Sequence, residues 1–566
     1  MRRFFEVLAL AVVFVSSIPA QNLNNNASAA LSKEFTNRID AIFKPYDRPD
    51  SPGCALAVVK DGSVVYKRGY GMANLEYDIP ITPATVFHTG SVSKQFTAFA
   101  IALLVSEGKI KLDDDIRKYL PEVPDFGKLI TIRHLLHHTS GLRDQWELLA
   151  MAGWRLDDVI TQEHILKMVH NQKELNFEPG AAHLYSNTGY TLLAVIVERV
   201  SGQPFRKFTM ERIFQPLGMT STHFHDDHEM VVKNRAYAYA PGPAGEFKLT
   251  ALNYANVGAT SLFTTAEDMA KWTLNFEDQK VGGKSVIDQM HEQGVLNNGT
   301  KLNYAFGLQI GKYKGLSIVE HGGGDAGYRS HIMRFPEQRF AVIVHCNHAA
   351  ANPGGLARQV ADQFLSDMLV PDAPKPATVQ RVEIKVSPSI LDRYVGKYDL
   401  SGVLTAEILR ENDRLMAIAQ GQPKVELFPE SETKFFLKVV DAQVEFQKDE
   451  SGKFTLVTLY QGGQSIEGKR IVPMTYTAAA LSEYTGDYYS EELGTNYIIV
   501  VKDDKLIAQH RRHSDIPLTG KTKDTFSGGA WFFANVQFTR DKNDHIDGFN
   551  LKGSRVLNLR FNRQSH

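Results

Sequence analysis

A hydroxyl, an amine and a phenol suffice for acyl transfer, and this chain carries them in three short, widely separated groups. These are Ser91-Val92-Ser93-Lys94, Tyr185-Ser186-Asn187 and His321-Gly322-Gly323. Ser91 and Lys94 stand three residues apart at the start of a segment that reads as a helix, so they share one face. A serine hydroxyl is a weak nucleophile until a neighbouring base takes its proton; a desolvated lysine or a phenol such as that of Tyr185 can do so. A helix start adds unpaired N–H groups and the positive end of the dipole, both of which favour negative charge on the hydroxyl. The glycines of the third group let a strand backbone approach a substrate closely. Single motifs are not specific, since Ser431-Glu432-Thr433-Lys434 repeats the S-x-x-K spacing and Tyr254-Ala255-Asn256 the Y-x-N spacing. Order and surroundings carry the assignment.

The elements that position these groups are partly visible. Ala55 to Lys60, Asp61-Gly62 and Ser63 to Arg68 read as a hairpin with a tight turn, and Ser330 to Phe335 with Phe340 to Cys346 as a second. Helical patterns fill most of the interval. Strands at both ends of a helical middle predict one α/β (α+β) domain over 31–370, whose ends meet in an antiparallel sheet. The helix expected from Ser91 to Glu107 has Phe96, Phe99, Ala100, Leu103 and Leu104 at helical spacing and stops at Gly108. Thr264 and Glu267 predict a capping box for another helix through Met269 and Trp272.

After Val370 the composition changes. A Pro-rich linker is expected over 371–385 and an all-β, barrel-like region over 386–566. That region repeats itself, about 386–472 and 476–566: Leu391-Asp392-Arg393-Tyr394-Val395-Gly396-Lys397-Tyr398 recurs as Leu481-Ser482-Glu483-Tyr484-Thr485-Gly486-Asp487-Tyr488, and Phe446 corresponds to Phe538. Two such units predict one closed or paired barrel, in which sheet edges find partners.

The chain has 566 residues, 43% of them hydrophobic, and Lys+Arg 63 balance Asp+Glu 64. No basic excess exists to neutralise phosphates, which argues against a nucleic-acid partner. Arg2-Arg3, the apolar run Val7 to Val15 and Ser16-Ser17-Ile18-Pro19-Ala20 read as a secretory signal peptide over 1–20, cleaved after Ala20. A periplasmic or extracellular protein without a membrane span is the expectation. Cys54 and Cys346 allow no disulfide scaffold and no thiolate metal cluster. Two buried thiols and a cross-strand disulfide both remain open.

On the three motifs, together with Leu135-Leu136-His137-His138-Thr139-Ser140-Gly141-Leu142, Leu217-Gly218-Met219 and Thr264-Thr265-Ala266-Glu267-Asp268-Met269-Ala270, residues 32–370 resemble the serine β-lactamases and penicillin-binding proteins. The resemblance is to the branch with class C enzymes, D-stereospecific peptidases and esterases; the tail resembles the lipocalin-like extension of some relatives. It implies Ser91 as the acylated nucleophile, Lys94 and Tyr185 as proton carriers, and Asn187, His321 and Gly323 at the substrate. The N–H groups of Ser91 and Gly324 would form the oxyanion hole. No metal or organic cofactor is implied. His321 stands where β-lactamases have lysine, and a mostly neutral imidazole is a weaker anchor for a carboxylate. An ester or D-amino-acyl peptide is therefore the favoured substrate, ahead of a β-lactam or a D,D-carboxypeptidase substrate, and a slowly acylating sensor is the rival from another class. His223-Phe224-His225-Asp226-Asp227-His228 matches a zinc-ligand string of a different fold and reads here as a solvated loop, while His137-His138 reads as structural.

Overall fold

The computed structural model describes residues 31–564 except 244, 371–380, 382, 401–403, 420–423, 439–441, 462–463, 472–473 and 475. The leader expected at 1–20 and most of the linker expected at 371–385 lie outside the described residues. Among the described residues no helix is long and apolar enough to cross a membrane.

Six antiparallel strands make the central sheet: β1 (Cys54–Lys60), β2 (Ser63–Tyr70), β3 (Gln309–Tyr313), β4 (Leu316–Asp325), β5 (Tyr328–Phe335) and β6 (Phe340–Cys346). Their spatial order is β3-β4-β5-β6-β1-β2. Both expected hairpins are present, and Asp61 and Gly62 both take positive φ, as a two-residue turn matched to strand twist requires. The two hairpins join through β1 and β6, with Cys54 opposite Cys346 and Lys60 opposite Phe340. The ends of the domain thus meet in one sheet.

Alternation along β1 sends its residues to two different cores. Cys54, Leu56 and Val58 pack with Ile39 and Phe43 and with Leu356, Ala357, Val360 and Ala361. Ala55, Ala57 and Val59 join the larger core on the other face. The helices that supply these layers are α1 (Lys33–Phe43), α2 (Lys94–Ser106), α3 (Gln145–Met151), α4 (Asn187–Ser201), α5 (Ala266–Asp278) and α6 (Pro353–Phe364). Helix α2 is enclosed on every side over Lys94 to Leu104 and is entered through a tight 3-10 turn, Gly90–Ser93, that carries Ser91. Helix α5 starts one residue later than the expected capping box. Thr265 caps the N–H of Asp268 at 3.0 Å, while Glu267 instead pairs with Lys67 at 2.6 Å.

The β region resolves the choice between one barrel and a pair. Gly396–Leu400 through Gln464–Ile471 close one eight-stranded barrel, and Gly486–Ser490 through Leu559–Arg563 close a second. Equivalent side chains do equivalent work in each. Tyr398 donates to the Tyr394 carbonyl and Tyr488 to that of Tyr484, both at 2.9 Å. Tyr394 packs on Phe446 and Tyr484 on Phe538, at ring distances of 4.3 and 4.9 Å.

Cys54 and Cys346 are joined as a disulfide, with Cα atoms 4.0 Å apart across the β1–β6 pair and a sequence separation of 292. Closing so long a loop restricts the unfolded chain, an effect typically worth about 2–4 kcal/mol. We expect no alkylatable thiol in the unreduced protein and two after reduction under denaturing conditions. The Cys54→Ser/Cys346→Ser variant should lose about 2–4 kcal/mol of unfolding free energy in denaturant titration.

Candidate active site

Ser91 is partly exposed in its turn, whereas Lys94, one turn on, is wholly buried. The Lys94 Nζ lies 3.2 Å from Ser91 Oγ, 2.8 Å from Asn187 Oδ1 and 2.9 Å from the Ala259 carbonyl oxygen. Burial holds its pKa well below the usual ammonium range, opposed by the carboxylates of Asp144 and Asp325 and assisted by Arg555. A neutral amine has two N–H bonds and one lone pair. In its neutral form the amine would give its N–H bonds to the two carbonyls and keep its lone pair for Ser91.

Helix α4 begins at Asn187, and the loop leading into it presents Tyr185. Tyr185 hydrogen-bonds to Ser91, and its ring lies beneath Lys94, with Nζ 4.8 Å from the centroid. Desolvation raises the phenol's pKa, so it is protonated at neutral pH. Ser91, Lys94 and Tyr185 are therefore brought together from separate segments, as the sequence reading requires.

Asn187 differs from its expected part. It lines the cleft, but its carbonyl is taken by Lys94 and its Nδ2 donates to Asp144 Oδ2 at 2.8 Å. In this arrangement it orients the lysine. Asp144, which the sequence reading missed, is almost wholly buried; it also accepts from the Asn187 and Trp146 backbone N–H groups, at 2.8 and 3.0 Å. Its only local signal is its place as the N-cap of α3. His138 has a supporting role: its Nδ1 accepts from the Ser186 N–H at 3.1 Å and its ring packs 4.2 Å from that of Tyr185.

Strand β4 runs its glycines past Ser91. A Cβ on Gly323 would fall 2.0 Å from the Thr89 carbonyl oxygen and 3.0 Å from the Ser91 nitrogen, so a side chain has no room there. Gly90, at φ +55°, closes the same contact, with its own absent Cβ directed 2.7 Å from the Gly324 nitrogen. Ser91 and Gly324 border the cleft together. His321, one turn of the pleat earlier, is buried; its Nδ1 donates to the Gly322 carbonyl at 2.6 Å and its Nε2 accepts from Tyr304 Oη at 3.1 Å. Burial and Lys94 push its pKa down to about 3. The expected substrate anchor is thus a neutral wall of the cleft with both ring nitrogens engaged. Burial raises the Asp325 carboxyl to about 7.

The cleft has a volume of about 640 Å³ and is bordered by Ser91, Tyr185, Trp146, Tyr254, the β4 glycines and Arg555. Arg555 comes from the second barrel, which the sequence reading did not connect to the site. The His223–His228 string is the solvated loop expected only in its second half, where Asp227 and His228 are exposed. His223 and Phe224 form a strand against Leu262–Thr264, and His223 and His225 pack on Phe263. Their pKa values fall to about 4 through burial. Among the described residues no group of His, Cys, Asp or Glu is placed to hold a metal ion.

Residues 39–364 match the β-lactamase family. The chain belongs to the β-lactamase family. It is 32% identical over 434 residues to penicillin-binding protein 4* of Bacillus subtilis (strain 168), covering 74% of this chain and 94% of that protein. It is 29% identical over 354 residues to a D-aminopeptidase of Gluconobacter oxydans (strain 621H), covering 62% of this chain and 65% of the relative. The solved octameric penicillin-binding protein homologue from Pyrococcus abyssi superposes with a TM-score of 0.55 at 26% identity, over 77% of this chain and 99% of that one. Residues 380–470, the first repeat, match a domain of unknown function, DUF3471. Membership of the β-lactamase family supports a serine hydrolase of that fold.

The Gly323 contact makes a direct test. Gly323→Ala forces β4 away from the Ser91 turn, and loss of one oxyanion donor typically costs about 10²–10³ in rate. We expect the rate of Ser91 labelling by a fluorophosphonate to fall by about that factor, with the circular dichroism spectrum retained.

Proposed function

We propose that this protein is an exported serine hydrolase that forms an acyl-enzyme on Ser91 and acts on esters or on D-amino-acyl amides and peptides. The observation that carries the reading is the buried Lys94 amine, its Nζ 3.2 Å from Ser91 Oγ, 2.8 Å from Asn187 Oδ1 and 2.9 Å from the Ala259 carbonyl oxygen, an arrangement in which the neutral amine turns its lone pair to Ser91. As Ser91 Oγ attacks the substrate carbonyl, its proton passes to Lys94, and the tetrahedral oxyanion is received by the N–H groups of Ser91 and Gly324. The Tyr185 phenol, held in its protonated form, gives its proton to the leaving oxygen or nitrogen and recovers one from Lys94. Water then attacks the acyl carbon, loses its proton along the reverse route and frees Ser91.

The neutral His321 supports esters and amides over β-lactams, because no cation stands where the resemblance places the lysine of β-lactamases. The family relatives include a D-aminopeptidase, which supports the amide and peptide part of the range. Export is supported by the leader-like first 20 residues and by the disulfide, a bond that persists in oxidising compartments.

Ser91→Ala is expected to abolish both hydrolysis and fluorophosphonate labelling; labelling that persists at another residue would sink the assignment. The pH profile has a defined sign. Lys94 must be neutral to accept a proton, so kcat/KM falls on the acid side as the amine becomes protonated, while the raised Tyr185 keeps its proton into the alkaline range. His321, near 3, contributes no step between pH 5 and 8, and a step near pH 7 belongs to Asp325 and disappears in Asp325→Asn.

A further inference from the structure

The loop Gly553–Asn558 joins the last two strands of the second barrel and is fixed to the catalytic domain by a dense set of hydrogen bonds. The buried Glu147 carboxylate accepts from the Ser554 N–H at 2.8 Å, the Ser554 hydroxyl at 2.7 Å and the Arg555 N–H at 2.6 Å. Asn176 brackets the loop, donating to the Arg555 carbonyl and accepting from the Leu557 N–H, each at 2.8 Å. Arg143, itself buried, donates to the Leu557 carbonyl at 3.1 Å and pairs with Glu492 of the same barrel at 2.6 Å. So many hydrogen bonds to buried Glu147 and Arg143 and half-buried Asn176 hold the loop rigidly.

What that scaffold presents is the Arg555 guanidinium. Its Cζ lies 5.0 Å from the centre of the Tyr185 ring, and the side chain is 41% exposed at the cleft. Its nearest carboxylate is Asp144, at 3.9 Å, beyond hydrogen-bond distance and already accepting from Asn187 and Trp146. The other permanent cation at the cleft, Arg358, is taken by Glu320 at 2.7 and 2.9 Å, and Glu320 also receives His331. Among the described residues no hydrogen bond engages the Arg555 guanidinium. A guanidinium on a rigid loop beside Ser91, its five donors free of hydrogen bonds and its one ion pair a 3.9 Å contact with Asp144, is a receptor for a carboxylate.

We propose that Arg555, carried into the active site by the second barrel, is a specificity residue that binds a carboxylate on the leaving portion of the substrate. This rests on the serine-hydrolase reading only for which portion leaves: Tyr185, over which Arg555 lies, is the group that meets the leaving atom. The preferred substrates are therefore acyl compounds whose leaving portion is anionic, and a cationic group at that place is disfavoured. The barrel is part of the recognition surface.

The test uses the full chain and a matched pair of compounds, the phenylacetyl esters of 3-hydroxybenzoate and of 3-hydroxybenzamide, which differ in one charge. Calorimetric titration of full-length Ser91→Ala is expected to show the carboxylate ester binding at least tenfold more tightly. In Ser91→Ala/Arg555→Gln the ratio should collapse towards one, and Arg555→Lys in the same background should restore part of it. In the otherwise native chain, Arg555→Gln should lower the carboxylate-to-carboxamide ratio of kcat/KM by at least tenfold, mainly through KM. A ratio unchanged by Arg555→Gln overturns the proposal, even if Ser91-dependent turnover is intact. A binding preference that depends on Arg555 without any Ser91-dependent turnover upholds it and overturns the hydrolase reading instead.

Discussion

The site depends on keeping one amine dry. An ammonium is disfavoured when buried away from water, and Lys94 is enclosed by α2, α4 and the Ala259 segment, with the carboxylates of Asp144 and Asp325 opposing its deprotonation and Asp144 joined to it through Asn187. Desolvation prevails, and the amine remains a base. Asp144 is nonetheless needed. By holding Asn187 it fixes the carbonyl that receives one Lys94 N–H, and without that partner the lone pair has no preferred direction. The same burial gives Tyr185 the opposite state, since desolvation favours the neutral form of a phenol as it does of an amine. One physical effect thus favours a neutral amine and a neutral phenol side by side.

That dry pocket requires the ends of the domain to be brought together. Ser91 enters from the segment after the first hairpin, and the glycines of β4 come more than 200 residues later; they meet because β1 and β6 pair within the one central sheet. The disulfide lies in that pair, one strand removed from β5 and two from β4. At Gly323 the approach is so close that a methyl group would overlap Thr89. The glycine run is therefore a packing requirement of the nucleophile turn as much as a feature of substrate recognition.

Much of this was legible in the sequence, where residue type and local spacing carry the information. The tight turn at Asp61-Gly62, the hairpin before Cys346, the shared face of Ser91 and Lys94 and the tyrosine-containing repeat are all local patterns. The missing parts were of two other kinds. The Ala259 carbonyl is a backbone group and has no residue signature, although it takes one of the two N–H bonds that define the state of Lys94. Asp144 and Arg555 act across 43 and 370 residues of chain on Asn187 and Tyr185, and locally each looks ordinary: an N-cap and a loop arginine. His223 and His225 differ from the loop expectation for a related reason, since a polar string reads as exposed until the strand and Phe263 that bury its first half are placed.

The two barrels offer an internal comparison that bears on the role of the second. In the first, two residues, 462–463, separate the last two strands; in the second, six residues, 553–558, do so. The shared repeat needs only the shorter connection to close, because both barrels are complete eight-stranded cylinders with the same tyrosine and phenylalanine interior. The longer connection is what reaches Glu147 and Asn176, and it carries Arg555 at its centre. Leu148, Ala150 and Met151 of the catalytic domain are packed into the second barrel's core cluster, and none is in that of the first. A spacer would need neither feature. The second repeat departs from the first at the place where the chain returns to Ser91, and there it forms one wall of the cleft.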